Sequence, residues 1–215
     1  MMHLLIALTA AFSISLAGVV VAEESGYVPR APLAKLDLRD GDSIVFLGDS
    51  ITHQCLYTQY VEDYFYTRFP KIRLRLHNAG VGGSRAWDAL LRFDQDVAAY
   101  HPKYVTVLLG MNDGRYAEYL DDVFTGYSTE MNRLLEKIKA CGATAILMTP
   151  TMFDARAKRM QPPGGFMGPK AVTFYNSTLA YYGAWLRDTA CAPTAYVNAP
   201  DTLYLCGGSP LKLEA

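Results

Sequence analysis

The stretch SIVFLGDSIT, residues 43–52, decides the fold class, because it joins an apolar strand to a polar turn. Its first part, SIVFLG (43–48), is a continuous apolar run, which is typical of a strand buried on both faces. Gly48, Asp49 and Ser50 then end the strand and begin a helix. A serine in this position either caps the helix or acts as a nucleophile.

Strand-like and helix-like segments alternate along the rest of the chain. Strands are predicted at IRLRLHN (72–78), YVTVLLG (104–110) and ATAILMT (143–149), and helices over 53–69, 85–100, 124–138 and 170–189. This alternation predicts an α/β fold, a three-layer α/β/α sandwich whose parallel sheet is covered by helices on both faces. Ligands bind such sheets at the carboxyl ends of the strands.

Two of the predicted helices carry apolar residues at helical spacing, which indicates the faces that they bury. The earlier helix has Leu56, Tyr60, Tyr64 and Phe65, and the later one has Phe124, Tyr127, Met131, Leu134, Leu135 and Ile138.

Composition and length indicate one globular domain with atypical ends. The chain has 215 residues, of which 51% are hydrophobic and 19% charged, and its net charge of −1 gives no basic field for nucleic acid. We divide it into a signal peptide (1–22), a leader segment (23–40), the folded domain (41–190) and an atypical tail (191–215).

The amino-terminal segment Leu4–Ala22 is apolar and carries no charge. Val20 and Ala22 are small residues placed as a signal peptidase requires before Glu23. We therefore expect an exported protein, periplasmic or secreted, with no stable membrane partner after cleavage. The alternative is an uncleaved membrane anchor, since the run is nearly long enough to span a bilayer.

Four cysteines, Cys55, Cys141, Cys191 and Cys206, are compatible with disulfides in an oxidising compartment or with unpaired thiols. Their spacing decides neither the pairing nor its existence. No cysteine or histidine spacing is typical of a metal site, so we predict neither a metal nor another cofactor.

Three strand ends carry groups suited to acyl transfer. Ser50 offers a hydroxyl, the glycine-rich NAGVGGSR (78–85) offers backbone N–H groups, and Asn112 in LGMNDG (109–114) offers a side-chain amide. Each feature alone is also compatible with an ordinary turn or cap. Because all three are predicted at one edge of one sheet, they together indicate a nucleophile with oxyanion donors.

The motifs GDSIT, NAGVGG and GMND, in this order and spacing, resemble the SGNH (GDSL) hydrolases, over about residues 43–190. The resemblance implies a flavodoxin-like fold and an esterase or acylhydrolase activity. It implies that Ser50 is the nucleophile and that the oxyanion hole comprises the Ser50 N–H, the Gly83 N–H and Asn112. We interpret Asp49 and Asp113 as turn and cap residues that support these loops.

The catalytic base of that family is missing from its usual place. The family takes it from an Asp-x-x-His block near the carboxyl terminus, whereas this chain has Asp201-x-x-Tyr204. We expect either that the carboxyl-terminal part of the fold is missing, through truncation or a frameshift, or that the protein is a base-less relative. His53, after Ser50, and His77, expected to end a strand beside the glycine loop, are candidate substitutes, but we favour surface or loop-packing roles for both. His101 is expected at the opposite edge.

The sequence therefore predicts an exported serine ester hydrolase that acts on a small-molecule or glycan ester, with deacetylation of carbohydrate as one form. The alternative is a non-catalytic relative that binds an acyl or glycan group, with Trp87, Tyr116 and Tyr119 as candidates to stack on sugar. The oligomeric state is not indicated by the sequence.

Overall fold

A computed structural model of the chain describes residues 36–154, 156 and 169–191. Among these residues, four parallel strands form a sheet in the order β2-β1-β3-β4, where β1 is Ser43–Gly48, β2 is Arg75–Gly80, β3 is Tyr104–Leu108 and β4 is Thr144–Leu147. In the sheet Val45 pairs with His77 on one side and with Val105 on the other. The predicted parallel sheet is thus confirmed.

In the described ranges, five α-helices with stated bounds follow or connect these strands: α1 (Ser50–His53), α2 (Leu56–Arg68), α3 (Ala86–Asp96), α4 (Asp121–Ala140) and α5 (Pro169–Cys191). A short 3-10 helix, Ala98–Tyr100, comes directly before β3. Within the described ranges, no helix is both long enough and apolar enough to cross a membrane.

The helices cover the two faces of the sheet. Alternate residues of β1 point to opposite faces, as in any strand. Val45 and Leu47 belong to a buried cluster with residues of α3, α4 and α5, whereas Ile44 and Phe46 cluster with Phe65 of α2. The α/β/α sandwich predicted from the sequence is therefore confirmed.

The strand order places a change of direction at the centre of the sheet. The chain runs from β1 outward to β2, then crosses β1 to enter β3 on its other side. Loops leaving the carboxyl ends of β1 and β3 therefore diverge, and a crevice opens between them. Ser50 follows β1 and Asn112 follows β3, so both lie at this crevice.

The single helix predicted over 53–69 is wrong, because the structure has two helices there. α1 already begins at Ser50, where the carboxylate of Asp49 accepts a hydrogen bond from the backbone N–H of Ile51 at 2.9 Å. Cys55 has φ 63°, a left-handed conformation that interrupts the helix before α2. Sequence periodicity did not reveal this break, since Cys55 is not a typical breaker residue.

The apolar face predicted for this helix is also largely wrong. The side chains of Leu56, Tyr60 and Tyr64 are exposed, and Phe65 alone of the predicted stripe is buried. α2 instead packs on the sheet with Tyr57, Val61 and Phe65. The stripe predicted for α4 is confirmed, because all six of its residues belong to the buried cluster or pack against it.

β2 begins and ends later than the predicted strand 72–78, since it extends through Gly80. The predicted helix 85–100 is shorter, since α3 ends at Asp96. The predicted signal peptide (1–22) and all of the tail (191–215) beyond Cys191 lie outside the described residues, as does most of the leader segment (23–40).

Candidate active site

The side-chain amide of Asn112 joins the three predicted strand ends. Its Nδ2 atom donates a hydrogen bond to the backbone carbonyl of Ser84 at 3.0 Å. The same atom lies 3.5 Å from Oδ2 of Asp49. Ser84 follows Gly83 and Asp49 precedes Ser50, so the serine, the glycine loop and the asparagine converge in the structure as the sequence predicted.

Two backbone N–H groups in these segments have free hydrogen-bonding capacity. Within the described part of the chain, neither the backbone N–H of Ser50 nor that of Gly83 donates a hydrogen bond, and the contact from Asn112 to Asp49 is long. The half-buried Ser50 hydroxyl also has no hydrogen-bond partner among the described residues. An anion or developing oxyanion at this point would find unoccupied donors.

Asp49 is buried, with 1% of its surface exposed, and burial raises its pKa. The hydrogen bond from the Ile51 N–H opposes that rise, because it stabilises the carboxylate. The carboxylate thus holds the first turn of α1, which sets the position of Ser50. The structure gives Asp49 the geometry of a cap rather than contact with the Ser50 hydroxyl.

Asp113 fixes the loop that carries Asn112. Its two carboxylate oxygens accept hydrogen bonds from the backbone N–H groups of Ala86, at 2.9 Å, and Gly110, at 3.0 Å. Burial raises the pKa of Asp113 to about 6, although both of these hydrogen bonds act to lower it. The start of α3 and the end of β3 are therefore tied together through one buried carboxyl group.

Tyr116 orients the amide of Asn112, a role that sequence reasoning missed. Its hydroxyl donates a hydrogen bond to Oδ1 of Asn112 at 2.9 Å, which directs the NH₂ group toward Ser84 and Asp49. The Tyr116 ring packs against Tyr175, with ring centroids 4.9 Å apart. No motif signals this contact, because it depends on a left-handed backbone conformation at Tyr116, with φ 54°.

Arg92 of α3, also missed from the sequence, links the ends of β1 and β2. Its guanidinium donates hydrogen bonds to the carbonyl oxygens of Ala79, at 2.7 Å, and Gly48, at 3.1 Å. A second anchor is an ion pair with Asp96 at 2.9 Å. The only sequence signal for this role was a basic residue on the half-buried face of α3. Its partners are backbone carbonyl groups, which no sequence pattern identifies.

Asn78 connects the end of β2 to the break between α1 and α2. Its Nδ2 donates to the carbonyl of Thr52 at 2.7 Å, and its Oδ1 accepts from the N–H of Gly80 at 2.9 Å. At Gly80 a Cβ atom would lie 2.3 Å from the backbone nitrogen of His53, so only glycine allows this approach. The glycine-rich loop is thereby held against the helix that begins with Ser50.

Of the described histidines, His53 alone lies at this edge of the sheet. It is exposed, and its Nδ1 is 3.2 Å from the carbonyl oxygen of Gly80. The expectation that His77 ends a strand beside the loop is wrong, because β2 continues through Gly80 and the His77 ring stacks on Tyr100, which precedes β3. His101 precedes β3 at the opposite edge, as predicted.

Two of the four cysteines can be placed. Cys55 and Cys141 are free and exposed. The side chain of Cys191 and all of Cys206 lie outside the described part. Among the residues that the structure describes, no cluster of three or more His, Cys, Asp or Glu side chains has the arrangement of a metal site.

The chain is similar to known enzymes in sequence. It is 26% identical over 141 residues to an acetylxylan esterase of Geobacillus stearothermophilus, which is 54% of this chain and 62% of that relative. The chain thus matches less than two thirds of the relative's length.

Solved structures share the fold. An acetylxylan esterase from Geobacillus stearothermophilus superposes with a TM-score of 0.55 at 23% identity, over 72% of this chain and 74% of that one. A gut microbial diltiazem-metabolizing enzyme gives a TM-score of 0.59 at 26% identity, over 71% of this chain and 35% of the other.

The profile of the GDSL-like Lipase/Acylhydrolase family matches residues 46–214, which is most of the chain and includes all three strand-end motifs. The resemblance inferred from GDSIT, NAGVGG and GMND is thereby confirmed, and this chain belongs to the GDSL-like lipase/acylhydrolase (SGNH hydrolase) family.

Proposed function

We propose that this protein is a serine acylhydrolase that removes short acyl groups, such as acetyl, from carbohydrate. The observation that carries the proposal is the position of the Asn112 amide, 3.0 Å from the Ser84 carbonyl and 3.5 Å from the Asp49 carboxylate. These two contacts support the proposal because Asp49 and Ser84 are the chain neighbours of Ser50 and Gly83. Family membership supplies the reaction class, hydrolysis of carboxylic esters.

In the proposed reaction, the Ser50 Oγ attacks the ester carbonyl carbon while its proton passes to a base. The carbonyl oxygen becomes an oxyanion, which accepts hydrogen bonds from the N–H groups of Ser50 and Gly83 and from Asn112. The ester C–O bond then breaks and the alcohol leaves with a proton. Water attacks the acyl-serine in the same way and releases the acid, which regenerates Ser50.

The described residues place no base in hydrogen-bonding contact with Ser50. Among described residues, His53 is the histidine on the correct edge, but no hydrogen bond joins it to Ser50. If its Nδ1–H donates to the Gly80 carbonyl, its Nε2 is left as a proton acceptor. Binding of an acyl or glycan group without turnover is therefore the second candidate function, and experiment separates the two.

The substrate class is proposed from the relatives. The curated relative is an acetylxylan esterase, and solved catalytic mutants of such an enzyme replace a serine and an aspartate by alanine. A serine-dependent deacetylase of xylo-oligosaccharides is the corresponding activity for this chain. The serine that we assign to this role is Ser50.

Hydrolysis of 4-nitrophenyl acetate and of acetylated xylotriose by the full chain tests the proposal. We expect Ser50→Ala to lose at least about 1,000-fold in kcat, because a nucleophile and its base act as a unit. Ser128→Ala on α4 is the matched control, since the Ser128 hydroxyl bonds only the carbonyl of Thr125 among described groups, at 3.1 Å. Its rate should remain unchanged.

A phosphonate ester that traps activated serines gives an independent result. We expect it to add one phosphonyl group to the peptide containing Ser50. Equal hydrolysis by Ser50→Ala and the unmodified protein contradicts the nucleophile assignment. Absence of both hydrolysis and labelling, with xylotriose still bound, identifies the non-catalytic alternative.

A further inference from the structure

A cavity of about 410 Å³ lies between the amino-terminal ends of α3 and α4, and Asp113 is one of its lining residues. It is lined by Arg85, Trp87, Asp113, Arg115, Asp122, Val123, Gly126, Tyr127 and Glu130. Its volume falls within the range of roughly 300–1,000 Å³ that is usual for small-molecule sites. Arg85 follows Ser84 and Asp113 follows Asn112, so the cavity adjoins the candidate active site.

An unused polar group lies in the wall of this cavity. Tyr127 is 2% exposed, and its hydroxyl has no hydrogen-bond partner among the described residues. Leaving a buried hydroxyl without a partner costs about 1–3 kcal/mol. Burial and the nearby Asp113 both raise the pKa of Tyr127, so the group stays a neutral hydroxyl that is able to donate and to accept. The hydroxyl oxygen is itself buried behind the cavity wall, so it becomes a partner for a ligand only if the Tyr127 side chain moves.

The charges of the lining indicate what kind of ligand fits. Two arginines and three acidic residues line the cavity, so it has both hydrogen-bond donors and acceptors and no positive excess for a phosphate or sulfate. Arg115 forms no ion pair with a described residue, and its guanidinium is available to a ligand. Five ionisable residues also make a poor groove for a fatty acyl chain.

Trp87 adds an apolar surface at the edge of this polar cavity. It is 44% exposed, although it is the second residue of α3 and follows the buried Ala86. Of the three aromatic residues predicted as sugar-stacking candidates, Tyr116 and Tyr119 pack against Tyr175 and Tyr181 instead. An exposed indole beside hydrogen-bond donors and acceptors is complementary to a sugar ring, which has an apolar face and hydroxyl groups at its rim.

We propose that this cavity is a saccharide subsite, which binds a neutral pyranose ring of the substrate while the ester lies at Ser50. The link of this subsite to catalysis rests on the proposed function. The binding of sugar by the cavity is independent of that function. In the subsite the Trp87 indole covers one face of the ring. Glu130, Asp122 and Arg115 bond its hydroxyl groups.

Calorimetric titration of the full chain with xylotriose, which carries no ester, tests binding without turnover. We expect Trp87→Ala and Glu130→Gln each to weaken xylotriose binding at least about tenfold, since each removes a ligand contact worth more than 1.4 kcal/mol. Matched controls are Tyr60→Ala, which removes a 76% exposed aromatic, and Glu62→Gln, both on α2 at the opposite face. Neither control should change the affinity.

Kinetics then separate this proposal from the proposed function. In Trp87→Ala we expect KM for acetylated xylotriose to rise about tenfold, whereas Tyr60→Ala should leave both this KM and the kcat/KM for 4-nitrophenyl acetate unchanged. Xylotriose binding that is absent, or equal in all four variants, overturns the subsite. The protein could also bind xylotriose, with weaker binding in the two cavity variants, and hydrolyse neither ester. That result would support the subsite and contradict the proposed hydrolase function.

Discussion

Gly83 has φ +77°, a left-handed conformation, and a Cβ atom there would meet no atom within 4 Å. Alanine at this position carries a backbone cost of about 1–2 kcal/mol but no clash with the protein. We predict that Gly83→Ala lowers stability by that amount and lowers kcat for 4-nitrophenyl acetate at least about tenfold, because it shifts an oxyanion donor. Thermal unfolding and steady-state kinetics measure the two effects.

Gly142 provides the matched control, since it has φ +80° and equally open surroundings. It follows α4 and precedes β4, at the opposite edge of the sheet from Ser50. Gly142→Ala should lose as much stability as Gly83→Ala and retain full activity. Equal activity in the two variants would show that the Gly83 N–H takes no part in the reaction.

Tyr116 is predicted to act through Asn112. Removal of the 2.9 Å hydrogen bond in Tyr116→Phe frees the amide to rotate, and we expect kcat to fall about fivefold with KM unchanged, as for the loss of about 1 kcal/mol. Asn112→Ala removes the donor itself, and kcat should fall about 100–1,000-fold. A rise in KM without a change in kcat would assign Tyr116 to substrate binding instead.

At the scale of secondary-structure elements, Arg92 joins α3 to the carboxyl ends of β1 and β2. Its guanidinium is largely buried, with 16% of the side chain exposed. Arg92→Met removes the charged hydrogen bonds to the carbonyls of Gly48 and Ala79, while Gly48 keeps the one from the Val81 N–H, so we predict a loss of about 2–3 kcal/mol in the free energy of unfolding. Urea denaturation measures this loss.

Arg133→Met is the control for that measurement, because Arg133 is an exposed residue of α4. We expect it to change the free energy of unfolding by less than about 0.5 kcal/mol. Equal effects of the two substitutions would mean that the contacts of Arg92 with the strand ends do not contribute to stability.

The elements also differ in how well the sequence predicted them. α4 was predicted with its buried face, because its apolar residues recur at a regular helical period over twenty residues. α2 was predicted as a helix with the wrong face. Its aromatic residues occur all around the helix, so Tyr60 and Tyr57 compete for burial and only the packing against Phe46 selects Tyr57.

At the scale of the whole molecule, the buried carboxyl of Asp113 is predicted to make stability depend on pH. Its pKa is raised to about 6 from 3.8, so the folded chain binds this proton more tightly than the unfolded chain does. Stability from this group is therefore complete below about pH 4 and lost as the pH rises to about 6, by about 3 kcal/mol. Denaturant titrations from pH 4 to pH 7 follow this loss.

Asp113→Asn removes the titrating group while it keeps one acceptor oxygen. We expect the difference in unfolding free energy between the unmodified protein and Asp113→Asn to change with pH in this interval. Asp63→Asn, at an exposed residue of α2 that forms no ion pair with a described residue, is the control and should show no such change. A difference for Asp113→Asn that is constant from pH 4 to pH 7 would contradict the raised pKa.

The parallel sheet and the positions of Ser50, Gly83 and Asn112 at strand ends were determined by the sequence alone. Apolar runs, glycine-rich turns and the strand-to-helix transition are local features, and their physical causes act over a few residues. The family motifs are local in the same sense. For that reason the fold class and the three parts of the candidate site were predictable before any contact was known.

Only the tertiary structure decided how these parts meet. The approach of the Asn112 amide to Ser84 and Asp49 depends on β1 lying between β2 and β3. The hydrogen bonds of Arg92 to strand-end carbonyls and the cavity beside Trp87 likewise join residues that are distant in sequence. Such contacts are set by the order of the strands and the packing of the helices. A local sequence pattern carries no information about either.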